Sequence, residues 1–473
     1  MSGVKTRKRS VSEAAKEAMP MAVVGEVTAS DITEVLTRIR SYVEPYQMLL
    51  VRSEQGNRLK QMVEGLTSDL ERKSIEPIAV MHGIPRRGLQ RFIGENGWSH
   101  EPLLEQLWRE VSEDVGVADG TLIIDASATP KKGAATVGVA RQWCGRLGKV
   151  DNCVLGVYAT YVGKDELSVL VGAELFLPKE WVEDKGRREE AYVPKDVTYR
   201  TQPQIAKELV SELSTKLPFE WVLGDDEYGR ARHFRDGVAA LGKSYAVDVP
   251  ENTTVIRARK HGGLGDKKWS VKALARTMPV SAWRRFKVRD GEKGPVEFRA
   301  LTLEVATPRK GGAPVRETLL VLDALDADKR TYHLARAKPG TSHDEMIRRA
   351  CQRHRIEEVF AETKGEVGLD HFEVRAWHGW YHHMTVCQIA HWFLVREKRR
   401  LGEKNIRPHH QSNPHGHWTA SLTDADARES GALHQLPPPS ERARPQRALQ
   451  GSQSLLSASS PHVIPPALIH PAQ

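Results

Sequence analysis

Two short apolar runs, each closing on an aspartate, set the tightest limit on what this chain can fold into. TLIIDASATPKKG, from Thr121 to Gly133, is apolar up to Asp125 and broken at Pro130, and FEWVLGDDEYG, from Phe219 to Gly229, is apolar up to Asp225 and Asp226. Each reads as a buried strand delivering an acid at its carboxyl end. A turn former or helix cap would also put an Asp there. A third acid lies in RACQRHRIEEVFAETKGEVGLDHFEVR, from Arg349 to Arg375. Ser342 and Glu345 make a capping-box signature ahead of it, and Met346, Ala350, Ile356, Val359, Phe360 and Thr363 recur at helical spacing, which predicts a helix. At about 100° per residue, Arg353, Glu357 and Lys364 fall within roughly 40° of one another, beside the apolar stripe that includes Phe360. One carboxylate is thereby flanked by two cations. A solvated face held by i,i+4 pairing would give the same pattern.

Strand-Asp, strand-Asp, helix-Glu, with a cation on each side of the Glu, resembles the DDE transposases of bacterial insertion sequences. The resemblance is to the branch with a β-rich insertion before the glutamate and a Y-x2-R-x3-E-x6-K signature. Arg353, Glu357 and Lys364 match its last three letters at the required spacing, while Ala350 stands at the tyrosine position. DASATPKKG, the segment from Val137 to Cys153, the aspartate three residues before Tyr228-Gly229, and GEVGLDHFEVRAWHGWYHH carry the resemblance further. It implies an α/β fold: an RNase H-like mixed sheet flanked by helices, with a β-rich insertion and an N-terminal helical DNA-binding domain. It also implies that Asp125, Asp225 and Glu357 are the catalytic and metal-binding residues, with Asp125 the bridging ligand. Arg353 and Lys364 would hold flanking DNA phosphates. Asp225 rather than Asp226 is chosen because family members place the acid three residues before the Tyr-Gly pair.

Composition agrees with a polyanionic partner. The 473 residues carry a formal net charge of +9 and a pI of about 9.2, which suits DNA but would also suit an acidic membrane surface. Cys144, Cys153, Cys351 and Cys387 form no CxxC pair, so neither a zinc site nor a disulfide framework is expected. The N-terminus lacks the apolar core of a signal peptide and no apolar run approaches membrane-spanning length, so the expectation is a cytoplasmic, nucleoid-associated bacterial protein without a membrane partner.

In chain order, residues 1–25 read as a flexible basic arm and 26–118 as a helical domain. Within the latter, SIEPIAVMHGIPRRGLQRFI has a helix-turn-helix outline that would offer Arg86, Arg87 and Arg91 to a DNA groove, though helical hairpins that bind nothing share it. Residues 119–250 give antiparallel strands and then alternating helix and strand, the first part of the core. Lys132 and Arg141 are candidate phosphate contacts near the first acid. From 251 to 340 the pattern turns β-rich, with KHGGLGDKK and DGEKG as turns, and this insertion accounts for the 132 residues between Asp225 and Glu357. Trp283, beside Arg284 and Arg285, is a candidate for base stacking, with packing inside the insertion as the alternative. Residues 341–404 complete the core, and a second long helix there is expected to cap it through Trp380, Met384, Cys387, His391 and Leu394. His378, His382 and His383 lie near one another on it without an HExxH pattern, so a metal reading is not preferred. From 405 to 473, which hold 10 of the 26 prolines, disorder is expected.

The chemistry implied is metal-dependent DNA cleavage and strand transfer, of the cut-and-paste type, on double-stranded DNA: terminal inverted repeats and target, bound by a homodimer. Two Mg²⁺ ions, with Mn²⁺ as substitute, suit an all-oxygen donor set. Two alternatives remain open. DASAT resembles the DxDxT pattern of aspartyl-type phosphohydrolases, but Ser127 stands where the second Asp would be. A transposase-derived DNA-binding regulator would share the helices without the cutting.

Overall fold

The apolar spacing of the first third of the chain folds into five helices in the computed structural model: α1 Ala29–Gln47, α2 Ser53–Leu66, α3 Ile75–Met81, α4 Arg86–Gly94 and α5 Glu101–Val115. Residues 29–402 are described, apart from 96, 260, 292–293 and 326–329. The expected arm over 1–25 and tail over 405–473 lie outside them. Between α3 and α4 the chain reverses at Gly83, whose φ of +61° is a left-handed conformation that costs glycine little. α4 buries Leu89, Phe92 and Ile93 and leaves Arg86, Arg87 and Arg91 exposed.

The sheet begins with β1 Thr121–Pro130, β2 Ala140–Cys144, β3 Lys149–Val162 and β4 Ser168–Leu175. Short helices α6 Lys179–Glu183 and α7 Lys185–Glu190, which the sequence reading did not anticipate, lead to α8 Gln202–Leu213. Then come β5 Trp221–Gly224, α9 Asp226–Arg230, α10 Arg232–Ala240 and β6 Ser244–Asp248. In the order β4-β3-β1-β5-β6, the first three strands are antiparallel and the last three parallel. This is the RNase H-like mixed sheet, with helices packed on it.

The β-rich stretch comprises β7 Thr254–Ala258, β8 Leu264–Ser270, α11 Val271–Arg276, β9 Arg284–Gly291, β10 Gly294–Arg309, β11 Gly312–Ala324 and β12 Arg330–Arg336. KHGGLGDKK is not all turn, since β8 takes its second half and only Gly262 and Gly263 turn with positive φ. β12 pairs antiparallel with β6, so the stretch extends the same sheet to twelve strands among the described residues. It has its own apolar cluster around Val255, Leu274, Leu301, Leu319 and Val321.

A buried polar network joins the two cores. Arg235 of α10 places Nε 3.0 Å from Glu317 Oε1 on β11, the same oxygen accepts from Tyr245 OH at 2.6 Å, and Thr307 of β10 donates to Oε2. Both charged side chains are nearly inaccessible, at 6% and 0%.

The chain closes with α12 His343–Cys351, α13 Arg355–Glu366 and α14 Trp377–Gly402. Ser342 caps α12 by accepting from Glu345 N, but the Glu345 carboxylate pairs with Arg349 instead of returning to the cap. The expected single helix is interrupted by a 3-10 turn over Gln352–His354, which places Arg353 just before α13. α14 does not merely cap the core through one face. It is buried on nearly every side from Gly379 to Phe393, between β4 and the N-terminal helices. Tyr42 OH of α1 donates to Ile389 O at 2.8 Å, and one continuous apolar cluster runs from Ile39 to Val395.

Three of the α14 histidines meet backbone carbonyls. His378 Nε2 lies 2.9 Å from Gly94 O, His382 touches Ile93 O and Trp98 O, and His383 Nε2 lies 3.2 Å from Gly368 O. Burial holds the pKa of His382 and of His383 down to about 4, from 6.5. The unfolded chain therefore takes up these protons first, so their contribution to stability is present above about 6.5 and lost as pH falls through about 4. His383→Gln should lose less stability over that interval than the unaltered protein, as read by chemical denaturation, and equal losses would count against it.

Candidate active site

Parallel pairing brings the two aspartates level. Ile124 of β1 is in register with Gly224 of β5, so Asp125 and Asp225 are the next residues on adjacent strands. Asp125 is not at the end of its strand as the sequence suggested, because β1 stays paired with β3 as far as Pro130. It stands where the parallel half ends, since β5 stops at Gly224. Asp225 N-caps α9 through a hydrogen bond from Glu227 N at 3.0 Å. Burial raises Asp125 to about 7, with the neighbouring Asp225 charge adding to it. Burial likewise raises Asp225 to about 6, helped by Asp226. Burial thus raises both acids together, and a nearby carboxylate adds to each.

Asp226 separates from Asp225 because the strand ends at Gly224 and a helix follows. It is the first residue of α9, turned outward and paired with Arg230 one turn on. Asp225→Asn should therefore abolish whatever cleavage the site performs and Asp226→Asn should retain most of it; the reverse ranking would displace the assignment. The Tyr-Gly pair that follows has a packing role. Tyr228 is fully buried under the two acids, and a Cβ at Gly229 would sit 1.7 Å from Asp248 O, so only glycine lets α9 close onto β6.

Glu357 arrives from the other side. Ile356, Val359 and Phe360 bury α13 against the sheet, with the Phe360 ring edge-on to Tyr158 of β3 at 5.3 Å. Glu357 itself is 60% exposed and connects to the aspartates through Arg353. The three guanidinium nitrogens take three different carboxylates: Nε lies 3.0 Å from Asp248 Oδ2, Nη2 3.1 Å from Glu357 Oε1, and Nη1 3.8 Å from Asp125 Oδ2. Arg353 is therefore no member of a solvated face. Lys364 turns toward β1, where its Nζ donates to Ser127 Oγ at 2.7 Å, two residues beyond Asp125 on the same side of the strand. Burial lowers the Lys364 pKa.

Asp248 escaped the sequence reading. Gly224 of β5 is level with Val247 of β6, so Asp248 extends the row Asp125, Asp225 onto a third parallel strand. The signal was present in KSYAVDVP, a third apolar run closing on an acid, but its register with β5 was not readable. His333 of β12 stands opposite, with Nδ1 2.7 Å from Asp248 Oδ1.

The remaining candidates lie farther out. Lys132 and Arg141 are exposed and flank Asn152 at the end of β1. Arg86 and Arg87 of α4 make exposed ion pairs with Glu76 and Glu95. Trp283 packs against the second apolar cluster with the Arg330 guanidinium 5.0 Å over its ring, so one ring face is already covered.

Among the described residues no ready-made cluster of three metal-ligating side chains is found. The donor set nevertheless fits a hard divalent cation, since Asp125 and Asp225 are level, oxygen-only and raised together, with Glu357 reached through one guanidinium.

Residues 45–295 match the family model described as DDE superfamily endonuclease. That span carries both aspartates and Asp248 and stops before α13. A protein of Microchaete diplosiphon described as "Probable transposase for insertion sequence element IS701" is 29% identical over 229 residues, which are 47% of this chain and 57% of that relative. The match thus spans a little over half the relative's length. No helix among the described residues is long and apolar enough to cross a membrane.

Proposed function

The chain belongs to the DDE superfamily of endonucleases, and from that premise we propose that it is an insertion-sequence transposase, cutting DNA at the ends of its element and joining them to a target. The observation that carries the reading is the placement of Asp125 and Asp225 side by side at the end of the parallel strands, with Glu357 brought in by α13. The name of the relative from Microchaete diplosiphon supports the same reading.

Asp125, Asp225 and Glu357 would hold divalent cations, Mg²⁺ or in its place Mn²⁺. When bound, such ions supply Lewis-acid stabilisation of the attacking and leaving oxygens of a phosphodiester. The chain's own residues orient the reaction. The Ala126 N–H, 2.7 Å from Asp125 Oδ1, and the Glu227 N–H at Asp225 fix the two carboxylates before substrate arrives. Lys364 and Arg353 stand beside the acids as candidate phosphate contacts, with Lys132 and Arg141 on the exposed approach. Arg86, Arg87 and Arg91 on α4 would lie along the terminal repeat, in a homodimer that pairs two ends. An aspartyl-phosphatase role for Asp125 is not favoured, because the position of the general acid is Ser127, already engaged by Lys364.

A plasmid carrying the ends of the element tests this. Cleavage at those ends with Mg²⁺, lost with a chelator, is expected. Binding of the ends without cleavage would favour a DNA-binding regulator.

A further inference from the structure

Asp248 uses both carboxylate oxygens, one on His333 and the other on Arg353, and it holds the guanidinium more closely than Asp125 does, at 3.0 Å against 3.8 Å. His333 is itself fixed, only 6% exposed with Nε2 2.9 Å from Thr331 Oγ1, and directly opposite Asp248 in the β6–β12 register. An ionised carboxylate only accepts, so the His333 Nδ1 proton points at Asp248. The arrangement anchors one end of a planar, permanently charged fork and presents its other two nitrogens to Asp125 and Glu357.

We propose that Asp248, backed by His333, is a positioning residue that holds Arg353 as the resident counter-cation of Asp125 and Glu357. A divalent cation then enters by displacing the guanidinium from those two acids, while Asp248 retains it beside them. This rests on the reading of Asp125, Asp225 and Glu357 as the cation site. It explains why a cation lies one turn ahead of the acid at the start of α13, and why an acid outside the trio lies in the same row.

Mn²⁺ titration calorimetry on the full chain without DNA tests it. Arg353→Gln removes the competing charge and should tighten Mn²⁺ binding by about tenfold, the order expected for a unit charge a few ångströms away in a screened site. Asp248→Asn frees the guanidinium to sit on Asp125 and Glu357 and should weaken binding severalfold. The double variant should match Arg353→Gln alone, because an anchor without its arginine has nothing to hold. Weaker binding in Arg353→Gln would overturn the proposal. A double variant that binds less tightly than Arg353→Gln would overturn it too, by making Asp248 a ligand itself. If Asp248→Asn fails to fold, the sign of the Arg353→Gln change decides. Mn²⁺ binding untouched by Asp125→Asn would instead reject the underlying site reading, and the proposal with it.

Discussion

Asp125→Asn should lower DNA cleavage by about a thousandfold, the loss expected when several kcal/mol of transition-state stabilisation go with one carboxylate. The change is nearly isosteric. Asn keeps an oxygen for the Ala126 N–H and matches the acid in size, so the pairing of β1 with β3 and β5 should be undisturbed. What disappears is the charge of the acid that stands level with Asp225 on the neighbouring strand. Binding of DNA ends, which the proposed function assigns to basic residues, should stay close to that of the unaltered protein. Gel-shift and cleavage assays on one substrate separate the two, and cleavage retained in this variant would remove Asp125 from the chemistry.

Glu317→Ala should cost about 3–5 kcal/mol of stability, because it strands a buried arginine. Arg235 is only 6% exposed, and Glu317, fully enclosed, is the carboxylate that meets its Nε. Tyr245 and Thr307 would lose their acceptor in the same step. The network spans the junction between the catalytic sheet and the β-rich stretch, so unfolding should begin there. Arg235→Met combined with Glu317→Leu removes both charges and should recover much of the loss. Denaturant melts of the three proteins check this; a double variant as unstable as Glu317→Ala would show that packing, not the unpaired charge, sets the cost.

The sequence was most legible where a signal is local. Apolar runs located β1 and β5, and helical spacing located α13 and the common side of Arg353, Glu357 and Lys364. It was silent where the answer depends on pairing between distant segments. That Asp125 stands level with Asp225, and Asp248 with both, follows from strand registers, Ile124 with Gly224 and Gly224 with Val247, that no local pattern reveals. The i,i+4 spacing named Glu357 as a partner of Arg353, but Asp125 on β1 and Asp248 on β6 lie beyond any rule within one helix. Lys364 was read from its own helix, whereas its contact, Ser127, lies 237 residues away. α14 misled for another reason: one apolar stripe was noted, but His382 and His383 are also inside, meeting backbone carbonyls, so polarity in the sequence did not mark an exposed face.

Cleavage by Asp225→Cys in Mg²⁺ and in Mn²⁺ tests the central claim most directly. Thiolate is a poor ligand for Mg²⁺ and a better one for the softer Mn²⁺. If Asp225 holds a cation at the scissile phosphate, the variant should be inactive with Mg²⁺ and partly restored with Mn²⁺, while Asp226→Cys remains active with both. Full activity of Asp225→Cys in Mg²⁺, or a Mn²⁺-dependent rescue at position 226 instead, would contradict the account.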